Sequence, residues 1–178
     1  MKRILVLGAS NSRTSINHKL ANFIASQVEN IEKDIVFWDE IELPLYSPQL
    51  EDEIGIPEQV KSFKKRIKAS DGIVISLAEH NSMPTAAFKN LWDWCSRVEK
   101  SVWADKPMFL AATSPGGRGA SSVLEIIDNL IPHYGGNVIA TFSLPKFKAN
   151  FSSTGIVDEM KSNELTQKIS TFKEALDS

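Results

Sequence analysis

The sequence is poor in the residues that build covalent cross-links and metal sites. It has one cysteine, Cys95, among 178 residues. A single thiol closes no internal disulfide and fits a reducing compartment. The three histidines, His18, His80 and His133, are scattered along the chain and stand apart from Cys95. That spacing speaks against an ordinary zinc centre, and no metal is expected. No stretch approaches the run of about 18 apolar residues that a membrane-spanning helix needs. The run Ile4–Leu7 is too short for a secretory signal and leads into polar Ser10, Asn11, Ser12 and Arg13 rather than a small-residue cleavage site. A cytoplasmic protein is the expectation. An excess of either charge is missing too, with 20 Lys and Arg against 22 Asp and Glu and a formal net charge of −2. Such a balance argues against nucleic acid as the main partner. There is no internal repeat, low-complexity tract or linker. At about 100–200 residues per domain, residues 1–178 read as a single domain.

What the chain does have is an alternation of two patterns. Short apolar runs recur at Ile4–Leu7, Ile35–Trp38, Ile73–Leu77, Met108–Ala112 and Val138–Phe142. None alternates polar with apolar, which is how strands buried on both faces read. Between them lie segments of helical period: Leu20, Phe23, Ile24 and Val28; then Val60, Phe63 and Ile67; then Phe88, Leu91, Trp92 and Cys95. Val123, Ile126, Ile127, Leu130 and Ile131 continue the series, and Leu165, Ile169, Phe172 and Leu176 close the chain. Strand–helix alternation predicts an α/β fold. Five strands favour a flavodoxin-like three-layer α/β/α sandwich with a five-stranded parallel sheet in the order 2-1-3-4-5.

Ligands of such sheets bind beyond the C-terminal strand ends, so the loops after strands one, three and four should carry the site. The first, Gly8 to Asn17, holds six hydroxyl or amide side chains before the helical stripe begins. A helix N-terminus with hydroxyls around it can hold a phosphate with little formal charge, and Arg13 is the only cation there. No Gly-Lys-Ser/Thr ending, no Gly-x-Gly-x-x-Gly and no cysteine occurs in that loop. It is therefore not a P-loop, a dinucleotide fingerprint or a cysteine-phosphatase loop. The fourth-strand loop, Thr113 to Ala120, has three glycines in four residues, which let a ligand approach the backbone closely.

These residues resemble the NADPH-dependent FMN reductases, a flavodoxin-like group that includes quinone, azo-dye and chromate reductases. The resemblance rests on Gly8-Ala9-Ser10-Asn11-Ser12-Arg13-Thr14-Ser15-Ile16-Asn17, on Leu43-Pro44-Leu45-Tyr46, on Ala78-Glu79-His80-Asn81 with Lys89-Asn90 and Asp93-Trp94, and on Ser114 to Gly119. It spans nearly the whole chain and keeps the motif order. Departures include Ala9 for the common serine, His80 for the usual tyrosine, Ala78 for proline and Thr85-Ala86 for Pro-Gly.

The resemblance implies one non-covalent FMN per subunit. It places Ser10, Ser12, Arg13, Ser15, Ile16 and Asn17 at the FMN phosphate. Glu79, His80, Asn81, Ser82 and Met83 would line the isoalloxazine ring, with Ser114, Pro115, Gly116 and Gly117 at its pyrimidine end. NADPH or NADH would deliver a hydride to FMN, and a quinone, azo compound, chromate or flavin would take the electrons in a ping-pong cycle. The chemistry belongs to the cofactor, so no catalytic side chain is assigned. A flavodoxin-type electron carrier that binds FMN without oxidising NAD(P)H is the alternative, and a net charge of −2 fits it poorly. Cys95 reads as a buried small hydrophobe. The basic, aromatic stretch Leu144–Phe151 reads equally as a flap over a neighbouring flavin or as a plain connection. Finally, Ala87, Trp94, Val98 and Trp103 widen the apolar arc around residues 86–103 beyond what one sheet face needs. A homodimer or homotetramer through that region is expected.

Overall fold

The runs Ile4–Leu7, Ile73–Leu77 and Met108–Ala112 become neighbouring strands whose alternate residues point to opposite faces. The computed structural model describes residues 1–178. In chain order the elements are β1 (Arg3–Ala9), α1 (Ile16–Ser26), β2 (Glu32–Val36), α2 (Pro48–Ile54), α3 (Glu58–Ala69), β3 (Gly72–Leu77), β4 (Glu79–His80), β5 (Met83–Pro84), α4 (Ala86–Val98), β6 (Lys106–Thr113), α5 (Ser121–Leu130), β7 (Gly136–Leu144), α6 (Phe147–Asn150), β8 (Phe151–Ser152), β9 (Gly155–Ile156) and α7 (Glu159–Asp177). Five parallel strands form one sheet in the order β2-β1-β3-β6-β7, the flavodoxin-like 2-1-3-4-5 once the short hairpins are set aside.

Period-two alternation divides the core in two. Ile4, Val6, Val74, Phe109 and Ala111 face α1 and α7, where they meet Leu20, Ile24, Leu165, Ile169 and Phe172. Leu5, Leu7, Ile73, Ile75 and Leu110 face the other layer, with Val60 and Phe63 of α3, Leu91 of α4 and Val123 of α5. Each fully buried Leu, Ile or Phe contributes about 1.5–3 kcal/mol of apolar transfer. Helix starts follow their caps: the Ser15, Ser47, Thr85 and Asp158 side chains accept from the N–H groups of His18, Leu50, Phe88 and Lys161. No helix is long and apolar enough to cross a membrane.

Two expectations need correction. The second strand runs over Glu32–Val36 rather than Ile35–Trp38. It is an edge strand paired only with β1, so half-exposed Glu32, Lys33 and Asp34 belong to it without an apolar signal. Trp38 instead opens a 3₁₀ turn, Trp38–Ile41, and its indole N–H donates to the Gly8 carbonyl at 2.5 Å. The second correction concerns the tryptophans. Trp94 and Trp103 are 0% and 1% exposed, and Trp92 packs edge-on against Trp103 and Tyr134. Trp94 packs edge-on against Tyr46, so the three tryptophans belong to the chain's own core and, of the apolar residues expected at an interface, Val98 is the exposed one.

Candidate active site

Glycine at position 8 lets α1 press on the end of β1. A β-carbon there would stand 2.4 Å from His18 Cα and 2.5 Å from His18 N. The contact brings the α1 N-terminus, with its unpaired N–H groups, under the loop Ser10–Ser15. Within that loop the Ser10 hydroxyl accepts from the Ser12 N–H at 3.3 Å, and the Ser12 hydroxyl accepts from the Thr14 N–H at 3.4 Å. The Ser15 hydroxyl accepts from the His18 N–H at 3.1 Å. The Ser10 and Ser15 hydroxyls serve as acceptors, which leaves their own protons to donate, while the Ser12 hydroxyl also lies 3.4 Å from that of Thr14. The N–H groups of Ile16 and Asn17, the first two of the helix, make no turn or cap hydrogen bond. Arg13 is exposed and makes no ion pair. The donor set suits a phosphate.

The Asn17 side chain takes a different place from the one expected of it. It is 2% exposed and faces the sheet. Its Nδ2 donates to the Thr113 carbonyl at 3.1 Å, while its Oδ1 accepts from the Thr113 N–H at 3.1 Å and from the Ser76 hydroxyl at 2.7 Å. Thr113 in turn donates its hydroxyl to the Leu144 carbonyl at 2.6 Å. A buried polar crosspiece therefore joins α1, β3, β6 and β7 beneath the loops. Asn17 offers the phosphate loop its backbone N–H, not its amide.

Beyond β3 the chain forms the hairpin β4–β5. Its turn residues, Asn81 and Ser82, both have positive φ, 54° and 64°. His80 and Met83, opposite each other in the hairpin, are exposed. Glu79 points inward instead, its side chain 11% exposed. Its carboxylate accepts from the Val123 N–H at 3.1 Å and lies 3.8 Å from the Arg118 guanidinium. Helix α5 starts at left-handed Ala120 and has no cap of its own, so Glu79 caps it from the hairpin. That contact ties the third-strand loop to the fourth.

In the fourth loop, Ser114 is half-buried and Pro115, Gly116 and Gly117 are exposed. Gly119 is required internally: its φ is +59° and a β-carbon would meet the Ser143 hydroxyl at 2.5 Å. Gly116 and Gly117 are not. Added β-carbons there would have no neighbour nearer than 3.8 Å and 3.9 Å, and neither residue has positive φ. The chain's own packing leaves these two glycines unexplained, and the open space over them admits a ligand against the backbone.

The motif residues Asn90 and Trp94 have a role that sequence reasoning missed. Asn90 accepts from the Tyr46 N–H at 2.9 Å and donates to the Pro44 carbonyl at 3.0 Å, and the Trp94 indole donates to the same carbonyl at 2.8 Å. They dock the Leu43–Tyr46 segment onto α4. That segment, Phe37 and the α4 N-terminus wall a cleft of about 780 Å³ that also reaches Ser10, Ser12 and Arg13. Neither Glu79–Met83 nor Ser114–Gly117 lines it. A smaller groove of about 320 Å³ between α1 and α7 includes no site residue. Cys95 is fully buried and its thiol is pushed up to about 12 by that burial, which leaves no thiolate for chemistry. The Leu144–Phe151 segment is tied to its own chain: the Lys146 and Phe147 N–H groups donate to the Gly116 and Ser114 carbonyls.

Comparison with known proteins gives a consistent result. A family model described as NADPH-dependent FMN reductase matches residues 2–149. A 2-hydroxy-1,4-benzoquinone reductase from a Burkholderia species is 35% identical over 120 residues, covering 67% of this chain and 64% of that one. The match thus spans just under two thirds of that relative's length. A quinone reductase of Escherichia coli K12 is 27% identical over 143 residues, covering 75% of this chain and 73% of its own. Among solved structures, the NAD(P)H:(acceptor) oxidoreductase FerB of Paracoccus denitrificans superposes with a TM-score of 0.80 at 25% identity, covering 99% of this chain and 98% of that one.

Proposed function

Because the chain belongs to the NADPH-dependent FMN reductase family, we propose that it is an NAD(P)H-dependent oxidoreductase that passes electrons to a quinone, azo, chromate or flavin acceptor in two alternating half-reactions. FMN is its cofactor. When bound, FMN supplies a centre that takes a hydride from NADPH or NADH and yields electrons to the acceptor. The observation that carries this reading is the pairing of two open backbone surfaces at one sheet edge: the phosphate loop on α1, and the loop at Gly116 and Gly117 that the chain's own packing does not fill.

The chain's residues divide the work. Ser10, Ser12 and Ser15 direct hydroxyl protons, Ile16 and Asn17 direct N–H groups, and Arg13 brings one positive charge, a set suited to the FMN phosphate. Asn81 and Ser82 present the tip of the β4–β5 hairpin to the ring, between exposed His80 and Met83. The amides around Ser114, Pro115, Gly116 and Gly117 would stabilise negative charge at the pyrimidine end. Glu79 holds these two loops together through Val123 and Arg118. None of this demands a side-chain acid or base. A single cysteine, left as a buried thiol, accords with a cytoplasmic setting. A homodimer or homotetramer would form through exposed apolar residues beside α4.

The test is spectroscopic. The purified protein should be yellow or take up added FMN, and NADPH or NADH should bleach the flavin band without oxygen, with colour returning on addition of a quinone. A flavin reduced only by dithionite would point to an electron carrier, and a chain that binds no FMN would overturn the reading.

A further inference from the structure

The stretch after β7 holds a residue that neither the core nor the proposed flavin contacts explain. Lys146 adopts φ 48° and ψ 55°, the left-handed region in which a β-carbon is penalised. Glycine or asparagine would make the same turn with less strain. Strain of this kind persists where surrounding contacts over-determine it. The contacts are visible. The Lys146 N–H donates to the Gly116 carbonyl at 2.9 Å, the Phe147 N–H to the Ser114 carbonyl at 3.1 Å and the Ser143 hydroxyl to the Gly119 carbonyl at 2.9 Å. The segment is thereby stitched along the glycine loop.

The lysine's own stem follows that line. A β-carbon on Gly117 would lie 3.9 Å from Lys146 Cε, so the stem passes beside Gly117 and holds the ammonium at the loop's rim. Lys146 is exposed and makes no ion pair. Arg118, one residue past Gly117, is 71% exposed, and its nearest carboxylate, Glu79, stands at 3.8 Å and already accepts from Val123. Lys146, which has no acidic partner, and Arg118, whose single carboxylate partner Glu79 stands at 3.8 Å, thus flank the two glycines left open by the chain's packing. The FMN phosphate has its own loop on β1, with Arg13, so this second charged rim is free for a different anion.

We propose that Lys146, with Arg118, recognises the phosphates of the nucleotide electron donor and sets the preference for a phosphorylated donor over a simple reduced nicotinamide. This rests on the oxidoreductase reading above. An ammonium acts here as a point charge and the guanidinium as a planar fork, both suited to phosphate oxygens.

The experiment compares wild type with Lys146→Gly, which keeps the turn, and Lys146→Arg, which keeps the charge. FMN affinity and NADP⁺ affinity are measured separately by calorimetry. In Lys146→Gly, NADP⁺ should bind about tenfold more weakly, as expected for one lost charged contact, while FMN affinity stays within twofold. Lys146→Arg should restore most of the NADP⁺ binding. The kcat/KM ratio of NADPH over a phosphate-free dihydronicotinamide should fall by the same factor in Lys146→Gly. An unchanged NADP⁺ affinity would overturn the proposal, as would an equal loss of FMN and NADP⁺, which would mark Lys146 as a loop prop. If wild type binds no FMN, the oxidoreductase reading fails by itself, and NADP⁺ titration of the same chain still decides the role of Lys146.

Discussion

Asn17 shows how far a side chain can stand from the role its motif suggests. Its amide makes three hydrogen bonds within a site 2% exposed, to groups on two strands. Both ends of the amide are needed: Nδ2 as donor to the Thr113 carbonyl, Oδ1 as acceptor from Thr113 and Ser76. Asn17→Asp keeps the shape and removes the donor, leaving a buried carboxylate facing a carbonyl oxygen. The expected loss is about 3 kcal/mol, read as a lower denaturant midpoint at neutral pH. Asn17→Asp should also regain stability as pH falls, because protonating the new carboxyl restores a donor. A variant as stable as wild type would show that the crosspiece does not hold the strand ends. Ser15 differs, since its hydroxyl caps α1 by accepting from the His18 N–H and keeps its own proton free.

At the scale of elements, the β4–β5 hairpin carries backbone strain in its turn. Two successive residues with positive φ make a tight turn of the kind that Asn-Gly serves well, and here the second is Ser82. Ser82→Gly should stabilise the fold by about 1 kcal/mol, measured by thermal or denaturant unfolding, and an unchanged midpoint would show that the turn holds no strain to release. The hairpin also shows why some elements were legible in the sequence and others not. Strands β1, β3 and β6 are covered by helices on both faces, so long apolar runs announce them. Strands β4, β5, β8 and β9 have two residues each, too few for any period to show. Helix α2 buries no residue and so carries no stripe. The site divides in the same way. Topology brings the loops after β1, β3 and β6 to one sheet edge, because strand order follows from the pattern. It did not give side-chain directions: Asn17 turns into the sheet, Glu79 reaches the α5 N-terminus, and Asn90 and Trp94 hold a neighbouring segment instead of a ligand.

For the whole molecule, the open matter is what covers the α4 side. With Trp92, Trp94 and Trp103 buried in the chain's own core, an interface there has to use other residues. Three are available: Leu45 at 79% exposure, Ile54 at 55% and Val98 at 40%. They belong to neighbouring segments that are already fastened together, by Asn90 and Trp94 to Pro44, by the Tyr46 hydroxyl to Glu51 at 3.0 Å and by Arg97 to Glu51 at 2.9 Å. A fixed platform loses little freedom on association, which favours a stable contact. Leu45 is the most exposed of the three, and burying it in a subunit interface would contribute about 2 kcal/mol per copy. Sedimentation at micromolar concentration should therefore find wild type at a multiple of the 19.8 kDa chain mass. Leu45→Glu should shift it to the single-chain mass while leaving the unfolding midpoint of the monomer unchanged, because the side chain touches little of its own fold. A wild type that sediments at 19.8 kDa would remove the assembly. The donor and acceptor would then meet the flavin on a surface built from one chain alone.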